Sequence, residues 1–174
     1  MMAIAMLLVI AASLLLQSLL PPVAFLGHAK VPVVMSVVVY YALTYKRTPM
    51  LIAGLAAGIV YDAMSVVPLG WSSFWFCAVG LGIQSIKDMV FRESVVPAAL
   101  LTAVAAAAMS GMVYLMFSSG EDGPFILDPP SLALWKSGGS ALLALLAAPA
   151  VFTLVRGLDR VVGNLREQQE PEHE

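Results

Sequence analysis

Residues 46–71 read KRTPMLIAGLAAGIVYDAMSVVPLGW. Two cations, Lys46 and Arg47, open the stretch, and residues 48–61 carry no charged side chain. Asp62 ends the run, residues 63–86 are again uncharged, and Pro68-Leu69-Gly70 forms a turn signal within them. Proline and glycine at that spacing favour a tight turn. Gly54 and Gly58 stand four residues apart, so they share one face of a helix. The pattern predicts two helices, about Met50–Ser65 and Trp71–Ser85, read as two spans rather than one span plus a re-entrant element because of the tight turn between them.

The same punctuation extends along the chain. Residues 1–27, 31–45, 94–120 and 137–155 are also free of charged side chains. They predict four more helices, about Met2–Leu20, Val31–Tyr45, Val95–Ser118 and Leu132–Val155. Pro21-Pro22 stops the first, and Pro97 fits the first turn of the fifth. Of 174 residues only 11% are charged, less than half of the roughly 25% usual in soluble domains. Apolar types make up 60%, and mean hydropathy is +0.91. A soluble domain of this length exposes too much surface to hide that composition, and a disordered chain has the opposite one. The expected fold is therefore all-α: a polytopic membrane protein with a six-helix transmembrane bundle over residues 1–166. A short amphipathic segment follows the sixth helix, with Leu158, Val161, Val162 and Leu165 at helical spacing, and residues 167–174 form a polar, disordered tail.

Spans of about 15 residues are short for a hydrocarbon core of about 30 Å. The second, third and fourth helices therefore lie either in thinned bilayer or inside protein. The first helix lacks the basic n-region of a signal peptide, so it is read as a retained span. With six spans, Lys46, Arg47, Lys87, Arg92, Arg156, Arg160 and Arg166 share one side, and Lys30 and Lys136 the other. The positive-inside rule then places both termini in the cytoplasm.

Small residues mark helix contacts in lipid. Candidate faces are Gly54 with Gly58, then Ala99, Ala103, Ala107 and Gly111, then Ser140, Ala144 and Ala148. Each either packs within the monomer or docks a second membrane protein. Asp62 is the one charge read as lying within a span. An intramembrane carboxylate costs roughly 2.5–3.5 kcal/mol at the bilayer centre, so it needs a partner. Three roles are open to it. It is a structural acceptor for the amides of residues 65–70 or an ion-pair partner of Lys30 or Lys136; a partner- or ligand-binding group; or a proton or ion site.

Signals for chemistry are missing from the sequence. It has no GxxxxGK[ST] and no GxSxG. His28 and His173 have no neighbours at metal-ligand spacing. Cys77 is the one cysteine, which excludes an intrachain disulfide, and it is read as a small packing residue. Net charge of −2 without a basic stripe argues against nucleic acid. No cofactor, metal site or catalytic set is expected.

The central stretch resembles the rod shape-determining protein MreD family. The resemblance rests on Lys30-Val31-Pro32, Tyr40-Tyr41-Ala42-Leu43, the glycine-rich run from Gly54 to Tyr61 ending in Asp62, and Pro68-Leu69-Gly70. It implies a non-enzymatic scaffold in the bacterial inner membrane, acting in cell elongation and peptidoglycan synthesis. The implied partners are MreC directly, with RodA, its transpeptidase partner and MreB in the same machinery. The family also looks similar to the substrate-binding subunits of energy-coupling-factor transporters, which are six-helix bundles. Asp62, Pro68, Leu69, Gly70, Gly54 and Gly58 are the residues expected to shape or contact a binding surface. The rival reading is a vitamin-type transporter subunit, whose cavity would draw on Asp62, Trp71, Ser72, Ser73, Trp75 and Gln84 as convergent polar groups.

Overall fold

A computed structural model describes residues 2–26, 29–65, 68–90, 95–118 and 130–162. Six α-helices follow one another: α1 Met2–Leu19, α2 Val33–Thr44, α3 Arg47–Ala63, α4 Trp71–Val90, α5 Val95–Ser118 and α6 Pro130–Val162. A 3-10 turn, Ala24–Leu26, sits between α1 and α2. The fold is all-helical. Among the described residues, two stretches are long and apolar enough to cross a membrane, Pro97–Tyr114 in α5 and Leu134–Asp159 in α6.

The centre is α2. Its 12 residues rise only about 18 Å at 1.5 Å each, well short of a bilayer core. Every side chain from Val33 to Ala42 is buried. A helix apolar on all sides is stable only when other helices enclose it, and α1, α3, α4, α5 and α6 all pack against α2. Between the two alternatives for a short helix, α2 is the one buried in protein. It starts at Val33 rather than Val31, after Pro32, and its early amide is satisfied from another helix: Val34 N–H donates to Gln17 Oε1 at 3.1 Å. Around it, α3 pairs with α4 and α5 with α6. Among the described residues these two hairpins touch directly only between α4 and α5.

Further boundaries differ from the sequence expectation. α3 begins at Arg47, so Pro49 is its third residue; the first four helical N–H groups have no partner in any case. α4 runs to Val90 rather than Ser85, because Gln84 and Lys87 both reach the Tyr45 carbonyl oxygen, at 3.0 and 3.5 Å, and anchor the extra turn. α6 continues unbroken to Val162, through Pro149 and through the start of the expected amphipathic segment. Residues 163–174 lie outside the described residues, as do His28, Arg92 and residues 119–129.

The helix contacts define two ends. Gln17, Val34, Leu26 and Gly139 gather the C-terminus of α1 and the N-termini of α2 and α6 at one end. Tyr45, Gln84 and Lys87 gather the C-termini of α2 and α4 and the start of α3 at the other. Lys46, Arg47, Lys87 and Arg156 lie at this second, basic end, whereas Lys30 and Lys136 lie at the first.

The small-residue faces divide. Ser140, Ala144 and Ala148 are all buried, and Ser140 Oγ lies 2.9 Å from Ser110 Oγ, joining α6 to α5. On α5 the expected face fails after its first member. Ala99 is buried, but Ala103, Ala107 and Gly111 are only half-buried, and the inward face is instead Ala98, Ala99, Thr102, Ala105 and Ala106. α5 is apolar all round, so its pattern carries no phase that sequence could read.

Candidate functional site

The expected site residues come together at the junction of α3 and α4, away from the basic end. Asp62 lies in the last turn of α3, one residue from its end. That is about 22 Å from Arg47 at 1.5 Å per residue. It is 3% exposed. Its Oδ2 accepts the Gly70 N–H at 2.7 Å, and the Ser72 N–H lies 3.2 Å from both carboxylate oxygens. These amides belong to the opening of α4, where N–H groups have no intrahelical acceptor and the helix dipole is positive. Asp62 thus acts as an N-cap supplied by the preceding helix. A carboxylate at the end of α3 opposes that helix's own dipole; charge-assisted bonds, each worth about 1.5–3 kcal/mol, outweigh a dipole effect of about 0.3–1 kcal/mol. Lys30 and Lys136, the ion-pair alternatives, are exposed, and the bonds described for Asp62 are to backbone amides.

The turn itself is rigid for a local reason. Trp71 N–H donates to the Pro68 carbonyl at 3.2 Å. Gly70, third residue of that turn, has φ +99°, a conformation that glycine adopts freely and other residues rarely do. Pro68, Leu69 and Gly70 are exposed, with Leu69 at 73%.

Below the turn, α3 and α4 are closed by a line of polar contacts. Ser73 Oγ donates to the Leu55 carbonyl at 3.1 Å, and Cys77 Sγ to the Leu51 carbonyl at 3.8 Å. With Gly80 against Met50 and then Gln84 and Lys87 on Tyr45, the positions 73, 77, 80, 84 and 87 form a seam with alternating spacings of four and three. That is the geometry of helices packed at a small crossing angle. The two glycines of α3 face this seam unequally. A Cβ on Gly58 would collide with Ser73 Cα, N and Oγ. One on Gly54 would meet Cys77 Sγ at 3.5 Å, an ordinary contact. Both glycines therefore serve the α3–α4 contact inside the chain. Tyr61 and Phe76 add an edge contact between the same helices, with centroids 5.8 Å apart.

The polar residues proposed for a ligand cavity do not converge. Asp62 and Ser72 lie at one end of α4, and Gln84 lies three turns away at the other. Asp62, Ser73 and Gln84 are engaged in interhelix bonds, while the buried Trp71 and Trp75 ring N–H groups and Ser72 Oγ make none. Among the described residues no group of three or more His, Cys, Asp or Glu is placed to hold a metal ion.

Sequence reasoning missed one buried acid. Asp159, in α6, is 1% exposed. Its position was legible in the register Ala144, Ala148, Phe152, Val155, Asp159, which recurs every three or four residues and is buried throughout. The flanking arginines drew the segment toward a surface reading.

A family model described as rod shape-determining protein MreD matches residues 1–158. No curated protein and no solved structure matches the chain.

Proposed function

The chain belongs to the MreD family of rod shape-determining proteins, a membrane-protein family, and on that premise we propose that it is a non-enzymatic scaffold of the cell-elongation machinery that binds MreC. It lies in the bacterial inner membrane as a multi-pass protein with both termini cytoplasmic. The outer ends of its helices meet the transmembrane and juxtamembrane parts of MreC, and RodA, its transpeptidase partner and MreB are reached through that assembly. The observation that carries this reading is the engagement of Asp62, Ser73 and Gln84 in bonds between helices. Groups held this way build a rigid surface and are not free to recognise a small molecule or move a proton. The Pro68-Leu69-Gly70 turn is what that framework presents outward, with an apolar tip at Leu69.

Co-purification of MreC with the tagged protein tests the reading. Asp62→Leu should weaken recovery of MreC and disturb rod shape, since the turn loses its anchor. A photo-crosslinker at position 69 should capture MreC. Normal shape and full MreC recovery in Asp62→Leu, with no crosslink from position 69, would defeat it. Reporter fusions placing the termini outside the cytoplasm would overturn the topology.

A further inference from the structure

The short helices of this chain do not share one explanation. α2 is enclosed by other helices, whereas α3 and α4 each keep an uncovered side. Ile52, Leu55 and Ile59 recur on α3 at helical spacing and are all exposed. Phe74 and Leu81, seven residues apart on α4, are exposed as well. Among the described residues α3 touches α1, α2 and α4 but neither α5 nor α6, so no described part of the chain lies over that face. In a membrane protein the solvent for such a face is hydrocarbon.

Polar limits at both ends set the height of the face. At the basic end they are Arg47, the first residue of α3, and Lys87 of α4, whose Nζ lies 3.5 Å from the Tyr45 carbonyl oxygen. At the other end α3 stops at Ala63, and the chain reverses through the exposed Pro68-Leu69-Gly70 turn. Exposed backbone outside a helix is not tolerated in hydrocarbon, so this turn lies at headgroup level. Arg47 to Ala63 is about 24 Å at 1.5 Å per residue, and Trp71 to Lys87 is the same. Two antiparallel helices thus agree on one height, about 6 Å short of a core of about 30 Å. Tilt only shortens it. Arg47 can extend toward headgroups along its own stem, but Lys87 is held at the Tyr45 carbonyl and the peptide groups of the turn have no such reach.

The other side of the molecule has no such shortfall. α5 runs 24 residues without a charge, about 35 Å, and on α6 Lys136 and Arg156 stand about 30 Å apart. A span shorter than the hydrocarbon thickness is accommodated by thinning of the bilayer around it. We propose that the exposed face of α3 and α4 is a lipid-binding surface that fits short-chain phospholipid and thins the bilayer beside this hairpin, while α5 and α6 sit in bilayer of ordinary thickness. The inference rests on the family's place in the membrane and not on MreC binding.

The test uses the full chain, without MreC, in vesicles of dimyristoleoyl, dioleoyl or dierucoyl phosphatidylcholine. Neighbouring lipid is read by quenching of tryptophan fluorescence with brominated dioleoyl phosphatidylcholine. Trp71 and Trp75 lie on α4, and Trp135 lies on α6. Trp135→Phe therefore reports the hairpin, and the double variant Trp71→Phe with Trp75→Phe reports α6. Dilution of the brominated lipid with dimyristoleoyl lipid should relieve quenching more at α4 than at α6, on the order of a twofold difference in lipid preference. The wild-type chain should unfold at a lower temperature in dierucoyl than in dimyristoleoyl lipid, by on the order of 5 °C. That measurement decides the question even where a tryptophan variant does not fold. Equal relief of quenching on the two helices would overturn the proposal. So would a Tm that is unchanged or higher in dierucoyl lipid, or α4 tryptophans that brominated lipid does not quench, the mark of a second copy covering the face.

Discussion

Asp62 and Asp159 are buried to nearly the same degree at opposite ends of the molecule. Asp62 meets the amides that open α4, and its burial is explained by what it caps. Asp159 lies beside the buried Tyr40 of α2, and its Oδ2 makes no hydrogen bond. The same side chain is therefore fully engaged in one place and only partly hydrogen-bonded in the other. Depth of burial does not separate the two cases; completeness of hydrogen bonding does. The α3–α4 end is over-determined, with a cap, a turn and a close helix contact acting on the same few residues. The basic end leaves Asp159 Oδ2 without a hydrogen bond.

Substitutions can break or sharpen that contrast. The largest effect is expected at Gly58→Val, where the new side chain meets the Ser73 backbone, which cannot rotate away. A loss of about 3 kcal/mol or more is expected, and alkylation of Cys77, half-buried in the same seam, should accelerate. Unchanged Cys77 reactivity would mean that α3 and α4 are less tightly joined than described.

Next comes Asp62→Leu, which leaves the Gly70 and Ser72 amides without an acceptor, a loss of about 3 kcal/mol in unfolding free energy. Asp62→Asn keeps one acceptor oxygen and should recover roughly half of that. If the leucine variant melts with the wild type, Asp62 is no more anchored than Asp159 and the contrast fails. Gly70→Ala should cost about 1–2 kcal/mol, through the positive φ alone. Hydrogen exchange confined to the start of α4 would locate that loss, and exchange spread over the whole chain would contradict it. Gly54→Ala should be the mildest, within about 0.5 kcal/mol, because its methyl meets Cys77 at ordinary distance. A large loss there would show that both glycines, not Gly58 alone, set the helix separation.

Much of the α3–α4 end was legible in the residues. Gly54, Gly58, Asp62 and Pro68-Leu69-Gly70 lie within 17 positions, and local spacing brings them together. The acceptor role for backbone amides was among the alternatives open to Asp62, although Ser72 lay beyond the turn considered. The inward face of α5 was not legible, because alanine and valine surround that helix on every side. Asp159 was obscured by Arg156 and Arg160, whose charges outweighed the register of Phe152 and Val155.

Apolar run length, turn residues and the spacing of charges are local properties, so the sequence by itself determined an all-helical chain, its six helices and the separation of its basic residues. Which helix is enclosed, which face of α5 points inward and which buried acid keeps an oxygen unbonded were decided only by the tertiary structure. Those outcomes depend on residues far apart in the chain, such as Gln17 with Val34 or Tyr40 with Asp159, and no local pattern records which distant surface a side chain will meet.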